Sequence, residues 1–232
     1  MIEDKKISKN LWKNGERLEE SWKRVKLGEP YKKACENLRK AIAGRKDFDP
    51  ITLFIWGTMM AKGVLEILKR VEEKFGVEGQ KVVREALNDV GYDAIKQLLE
   101  DSQIPKDLSD VEKASFIATA VNTILYSSLE APRIIDENTY EFDILWCPHQ
   151  DTYTAFDCRV QRYFVEGMLK FFRDKGLPTY HIKFTSIIPA GAKTCHFIAK
   201  RASPNQPDPW FQYSEFLQQR ALKKLEEDRK KL

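Results

Sequence analysis

The sequence predicts an α+β protein: N-terminal helices followed by an antiparallel sheet of two hairpins flanking a buried helix, and then a C-terminal helix. Three observations carry that expectation. Helical signals run almost unbroken to about residue 128. Alternation of apolar and polar residues begins only after Pro132, and the alternating stretches come as two hairpins. Helices segregated from strands in this way favour an antiparallel over a parallel sheet.

Each element has its own signal. "LWKNGERLEESWKRVK" and "YKKACENLRKAI" read as short, charged helices. Asp49 and Pro50 make an N-cap and a proline at the first helical position, opening a third helix to about Phe75. Val83, Leu87, Val90, Ala94 and Leu98 recur at three-to-four spacing, one face of a fourth. Ser109 with Glu112 forms a capping box ahead of the fifth, "ASFIATAVNTILY". In "RIIDENTYEFDILWC" a polar turn precedes a strand. Its Tyr140, Phe142, Ile144 and Trp146 share one face, and Glu141, Asp143 and Leu145 the other. "DCRVQRYFVEGMLKFFRDKG" is a sixth helix. Its polar residues Arg159, Arg162, Glu166, Lys170 and Arg173 form one narrow stripe, so the helix is mostly buried. Gly176 stops it. "YHIKFTSII" and "KTCHFIAKR" make a second hairpin around "PAGA". Beyond the linker "ASPNQPDP", a last helix from about Trp210 carries Phe211, Leu217, Ala221 and Leu225 along one side. The expected divisions are a helical extension over 1–50, an α+β domain over 51–202, and a linker with an amphipathic helix over 203–232.

Composition narrows the function. With 232 residues, 42% hydrophobic and 32% charged, the chain reads as an ordinary soluble globule. A net charge of +4 without an aromatic–basic motif argues against nucleic acid. Four irregularly spaced cysteines are too few for a disulfide framework, and "MIEDKKISKN" lacks the apolar core of a signal peptide. The most apolar run, "ITLFIWGTMMAKGVL", is interrupted by Lys62 short of a membrane span. The expectation is a cytoplasmic, reduced protein with no membrane partner.

Candidate chemistry gathers in "WCPHQDTYTAFDC" and "TCHF". Cys147 and His149 bracket Pro148 at a strand end, and Cys158 begins the next helix, whose dipole would lower a thiol's pKa. A thiolate there, or a metal-bound water, suits hydrolysis of an amidine-like carbon, with His149 or Asp151 moving protons. Cys195 and His196 are adjacent on a strand and point to opposite faces. Cys195 goes with Phe197 and Ala199 on the apolar side. Cys147, His149, Cys158 and Cys195 have the donor chemistry for zinc or another thiolate-bound metal, but no paired C-x-x-C spacing. Small apolar fillers are the plain alternative for each thiol, above all for Cys35. His181 reads as a strand residue with a satisfied hydrogen bond.

Together "REALNDVGYDAIKQLLE", "WCPHQD", "DCRVQRYFVEGM" and "GAKTCHFIAK", in this order, resemble the L-2-amino-thiazoline-4-carboxylic acid hydrolase family over about residues 55–202. More distantly they resemble four-vinyl-reductase-type sensor domains. The resemblance implies an α+β domain enclosing a pocket for a small polar molecule, and hydrolytic opening of a thiazoline ring on a route to cysteine through a carbamoyl derivative. It places the family's C-P motif on Cys147 and Pro148, its second cysteine on Cys158, and its C-x-F motif on Cys195 and Phe197. The chain departs from the pattern at "GAKTC", where a Gly-Asp pair is usual, and at Gln161-Arg162, where an acid is expected.

These readings lead to a hydrolase of a small cyclic C–N substrate bearing a carboxylate. Cys158, His149 and Asp151 are its catalytic candidates, and Arg162 and Trp146 bind substrate. Cys147, Cys158 and Cys195 are candidate metal ligands. The alternative is a non-catalytic small-molecule or metal-binding sensor module of the same fold. A third expectation gives the C-terminal helix a docking role, on its own domain or in a homodimer.

Overall fold

A computed structural model describes residues 7–8, 11–203 and 206–230. The expectations for the first residues and for the middle of the linker fall outside that description. The α+β class holds: one six-stranded, wholly antiparallel sheet, with helices against one face.

The sheet order is β1-β2-β3-β4-β6-β5. Strands β3 (Leu129–Asp136) and β4 (Thr139–Trp146) form the first expected hairpin, and β5 (Tyr180–Ser186) and β6 (Cys195–Arg201) the second. The two join where β4 pairs with β6, Phe142 opposite Phe197 and Ile144 opposite Cys195. Alternation sorts the faces as predicted. Tyr140, Phe142, Ile144, Cys195 and Ala199 are buried in the main core, together with Phe116 and Val111. On the other face His196 Nδ1 lies 3.3 Å from Asp143 and its Nε2 3.5 Å from Glu141.

Of the first predicted helix only a 3-10 stretch, Glu19–Lys23, forms. Residues 12–17 instead make a two-residue hairpin, β1 (Trp12–Lys13) and β2 (Glu16–Arg17), that extends the sheet from β3. Asn14 and Gly15 both take positive φ (52° and 83°), as a tight hairpin turn requires. The Ile134 N–H donates to the Gly15 carbonyl at 2.8 Å, and a Cβ on Gly15 would stand 2.5 Å from the Ile134 oxygen. Buried Trp12 then holds the turn on the core, with the Arg17 guanidinium stacked over Trp12, Trp22 and Phe116.

Helix α1 (Lys32–Ile42) forms as expected, with no residue buried. Helix α2 (Ile51–Glu100) spans the third and fourth predicted helices, and its backbone leaves helical geometry at Gly76 (φ 58°, ψ −133°), beside the expected end at Phe75. The halves bend back on each other there. Gln80 Nε2 donates to Glu72 at 3.0 Å, and Leu65 and Leu68 pack in one cluster with Leu87. Helix α3 (Asp110–Ala120) starts in the predicted capping box, Ser109 and Glu112 bonding reciprocally. By length and composition α2 is apolar enough to cross a membrane, so Lys62 does not interrupt the run as expected.

Helix α4 (Arg159–Asp174) is buried as predicted, but so is much of its polar stripe. Arg159 pairs with Glu72, both almost wholly buried, and Arg84 Nε reaches Glu166 at 2.6 Å. Lys170 is exposed. Helices α2 and α4 cross in backbone contact. A Cβ on Gly167 would lie 1.8 Å from the Asn88 carbonyl oxygen, and one on Gly91 2.0 Å from that of Phe164. Only glycine allows so close a crossing.

Helix α5 (Pro209–Arg229) docks on its own chain. Its inward residues are Trp210, Ser214, Leu217 and Ala221, so the expected face is right from Leu217 onward and one residue out at Phe211. The Gln218 carbonyl accepts from Gln80 at 3.0 Å. The helix thus packs on α2 and α4 of its own chain.

Candidate functional site: one cavity behind the sheet

Strand β4 delivers Trp146 and Cys147 to its end, and a tight turn follows. The Cys147 N–H donates to Gln150 Oε1 (3.1 Å), and the Tyr153 N–H to the His149 carbonyl (2.9 Å). A second turn is fixed by Thr154 and Asp157. The Thr154 hydroxyl donates to Asp157 Oδ2 (2.8 Å), and the Asp157 N–H donates back to Thr154 Oγ1 (3.2 Å). That reciprocal lock sets Cys158 as the residue immediately before α4. Cys195 opens β6 opposite Ile144, and its sulfur accepts the Ile188 N–H at 3.2 Å.

These segments meet at a cavity of about 390 Å³ between the sheet and helices α3, α4 and α5. Cys147, Cys158, Cys195, His149 and Arg162 all line it. The expected gathering of three thiols and an imidazole around one hollow is therefore present. Among the described residues, however, no three or more His, Cys, Asp or Glu side chains are grouped to hold a metal ion, so the donor set does not fit the zinc reading.

The electrostatics reverse a further expectation. Burial pushes the Cys158 thiol up to about 12, and the neighbouring Cys147, Cys195 and Asp157 add to the rise. Desolvation outweighs the helix dipole, because Cys158 sits in an apolar wall and not at a solvated helix end. Burial also raises the Cys147 and Cys195 thiols. It lowers His149, whose ring stacks on Tyr153 at 4.7 Å and whose buried Nδ1 has no hydrogen-bond partner among the described residues. At neutral pH this is an uncharged cluster.

Two predicted residues lie elsewhere. Asp151 is exposed and does not line the cavity. Trp146 packs against Phe54, ring centroids 6.0 Å apart, outside the lining. Alternation put Trp146 on the buried face, but β4 ends there and the ring turns to α2. Arg162 does line the cavity, yet it is committed to α5. Its Nη2 donates to the Trp210 carbonyl (2.7 Å) and its Nε to Ser214 Oγ (3.3 Å), and the guanidinium stacks on the Trp210 ring at 4.0 Å. Burial lowers its pKa to about 10, which still leaves it charged. No carboxylate lies within ion-pair distance of it among the described residues.

Residues that sequence reasoning missed are mostly apolar: Ile117, Met168, Phe184, Tyr213 and Leu217 all face the hollow. Tyr126 joins them, its hydroxyl donating to the Gln161 carbonyl at 3.2 Å, its pKa raised by burial. The spacing of Trp210, Tyr213 and Leu217 was the available signal, since it marks one helical face.

No family model matches the chain. An uncharacterized protein of Archaeoglobus fulgidus is 43% identical over 214 residues, covering 87% of this chain and 95% of its own. The chain belongs to that protein's family. The aligned length exceeds what residues 55–202 can hold, so the family unit takes in terminal elements as well as the cavity's core.

Proposed function

We propose that the protein is a non-catalytic small-molecule-binding module whose ligand is largely apolar. One observation carries this reading: a cavity of about 390 Å³ walled by aromatic and aliphatic side chains, its three thiols held protonated by burial. That size falls in the range of ligand pockets, and a hollow so lined favours apolar surface over a small polar solute. Of the polar groups at the wall, His149 Nδ1 has no hydrogen-bond partner among the described residues and is the handle open to a ligand. The reading follows the sensor-like side of the resemblance. Thermal shift of the full chain with a panel of apolar compounds and small polar carboxylates tests it. A ligand at a hundred times its Kd stabilises by about 2.7 kcal/mol, so apolar binders should raise Tm by several degrees. Stabilisation by polar carboxylates alone would sink the proposal.

A second reading, hydrolytic opening of a small cyclic C–N substrate bearing a carboxylate, draws on the sharing of one cavity by Cys147, Cys158, Cys195 and His149. It needs a Cys158 thiolate, which a pKa of about 12 leaves at about one part in 10⁵ at pH 7. Turnover of 2-amino-thiazoline-4-carboxylate, lost in Cys158→Ala with the fold retained, would establish this reading over the first.

A further inference from the structure

We infer that residues 51–60 of α2 are the interface of a symmetric dimer, in which each chain's projecting helix packs antiparallel against the same stretch of a second copy. This does not depend on what the cavity binds. From Ala61 onward the helix is anchored. The Tyr153 hydroxyl donates to the Ala61 carbonyl at 2.9 Å, Leu65 and Leu68 are buried, and Lys69 reaches Asp157 at 3.3 Å. Before Ala61 most of its side chains are exposed, and among the described residues the Phe54 ring on Trp146 is its aromatic contact. The segment "ITLFIWGTMM" carries no charge, and seven of its apolar side chains are 39–61% exposed. They sit at positions 51, 53–56 and 59–60 and so cover every side of the helix, which water does not tolerate for a helix left alone.

The exposed apolar surface of these seven is on the order of 800 Å², what one partner contributes to a standard interface and more than a typical monomer leaves open. A two-fold axis across the helix supplies cover on more than one side. The mate's helix meets one side, and the exposed Leu129 and Leu145 at the mate's β3–β4 end offer themselves to another. A lipid surface fits less well. The ten residues alone span about 15 Å, and although α2 as a whole is apolar enough for a ~30 Å hydrocarbon core, its next turns are anchored on the body at Ala61, Leu65 and Leu68. The residues before it are of mixed charge, Lys46 standing beside an Arg45–Asp47 pair and Asp49 adjoining the helix start.

The test is light scattering of the full chain after size exclusion at tens of micromolar. A mass twice 27.0 kDa is expected for the native chain, and 27.0 kDa for Ile55→Lys combined with Met59→Lys, with helical circular dichroism unchanged. Isotope-mixed native protein should also give a cross-link from Lys46 of one copy to Lys62 of another, a readout that needs no variant. A native mass of 27.0 kDa overturns the inference, as does a dimer that survives the double substitution. Monomers that sediment with phosphatidylglycerol vesicles would assign the helix to lipid instead.

Discussion

Toward α2, helix α4 buries Arg159 against Glu72 and Glu166 against Arg84; toward the sheet it presents Cys158, Val165, Met168 and Phe172 to a hollow. Both sides are out of water, but one is closed by ion pairs while the other is open, its thiols and imidazole neutral and the charged Arg162 turned to α5. On the α2 side both carboxylates have a guanidinium partner in place, and the glycines bring the backbones into contact. On the cavity side three thiols and His149 are desolvated without any charged partner to stabilise an ionised form. The lesson is that burial alone does not mark a reaction centre. The ionic residues of α4 hold the fold, and its reactive-looking residues are kept neutral.

The sharpest way to break that comparison is at Glu72. Glu72→Ala leaves Arg159 charged, buried and unpaired, with its Nε and Nη1 already lacking partners among the described residues. A loss of about 3–5 kcal/mol in urea unfolding is expected. The double variant Glu72→Leu, Arg159→Met should recover most of it, because a well-packed apolar pair avoids the desolvation cost. Failure to recover would mean that the charges do more than stabilise.

Next in size is the crossing itself. Gly167→Ala places a methyl 1.8 Å from the Asn88 carbonyl oxygen, which the backbone cannot yield cheaply, and α4 must move off α2. About 1–3 kcal/mol should be lost. Because α4 also walls the cavity, ligand-induced stabilisation should fall in the same variant. Stability lost with ligand response intact would show that the two sides of α4 are mechanically independent.

Much of this was legible in the sequence. The hairpins announced themselves by alternation, the capping box by Ser109 and Glu112, and the break in α2 by the end of periodicity near Phe75. Two-residue strands offer no alternation to read, so the Asn14-Gly15 turn was lost among the surrounding charges. Collecting Cys147, Cys158 and Cys195 was also readable, because strand ends and helix starts converge. Their protonation was not. It depends on desolvation by walls that include Trp210, Tyr213 and Leu217, some fifty residues along the chain, and a helix start viewed locally argues for the opposite shift. The same distance hid the partner of Arg162, which is the Trp210 carbonyl and not a substrate.

The effect that is smallest per step of the measurement tests the neutral thiols of the cavity side directly. Cys158 rises from its ordinary 9.0 to about 12 in the folded chain. A raised folded pKa gives stability that is fully present below the unfolded value and lost as pH climbs toward the folded one. Over that window the unfolded thiol ionises while the folded thiol does not. Between about pH 9 and 12, this one group should therefore cost on the order of 1 kcal/mol of stability per pH unit. Other buried thiols and tyrosines fall in the same range, so the informative quantity is the difference between native and Cys158→Ala chains in urea unfolding at stepped alkaline pH. The variant should match the native chain's pH dependence below pH 8 and fall less steeply above 9. Parallel curves throughout would mean that the Cys158 thiol ionises as easily folded as unfolded, and would return it to the list of available nucleophiles.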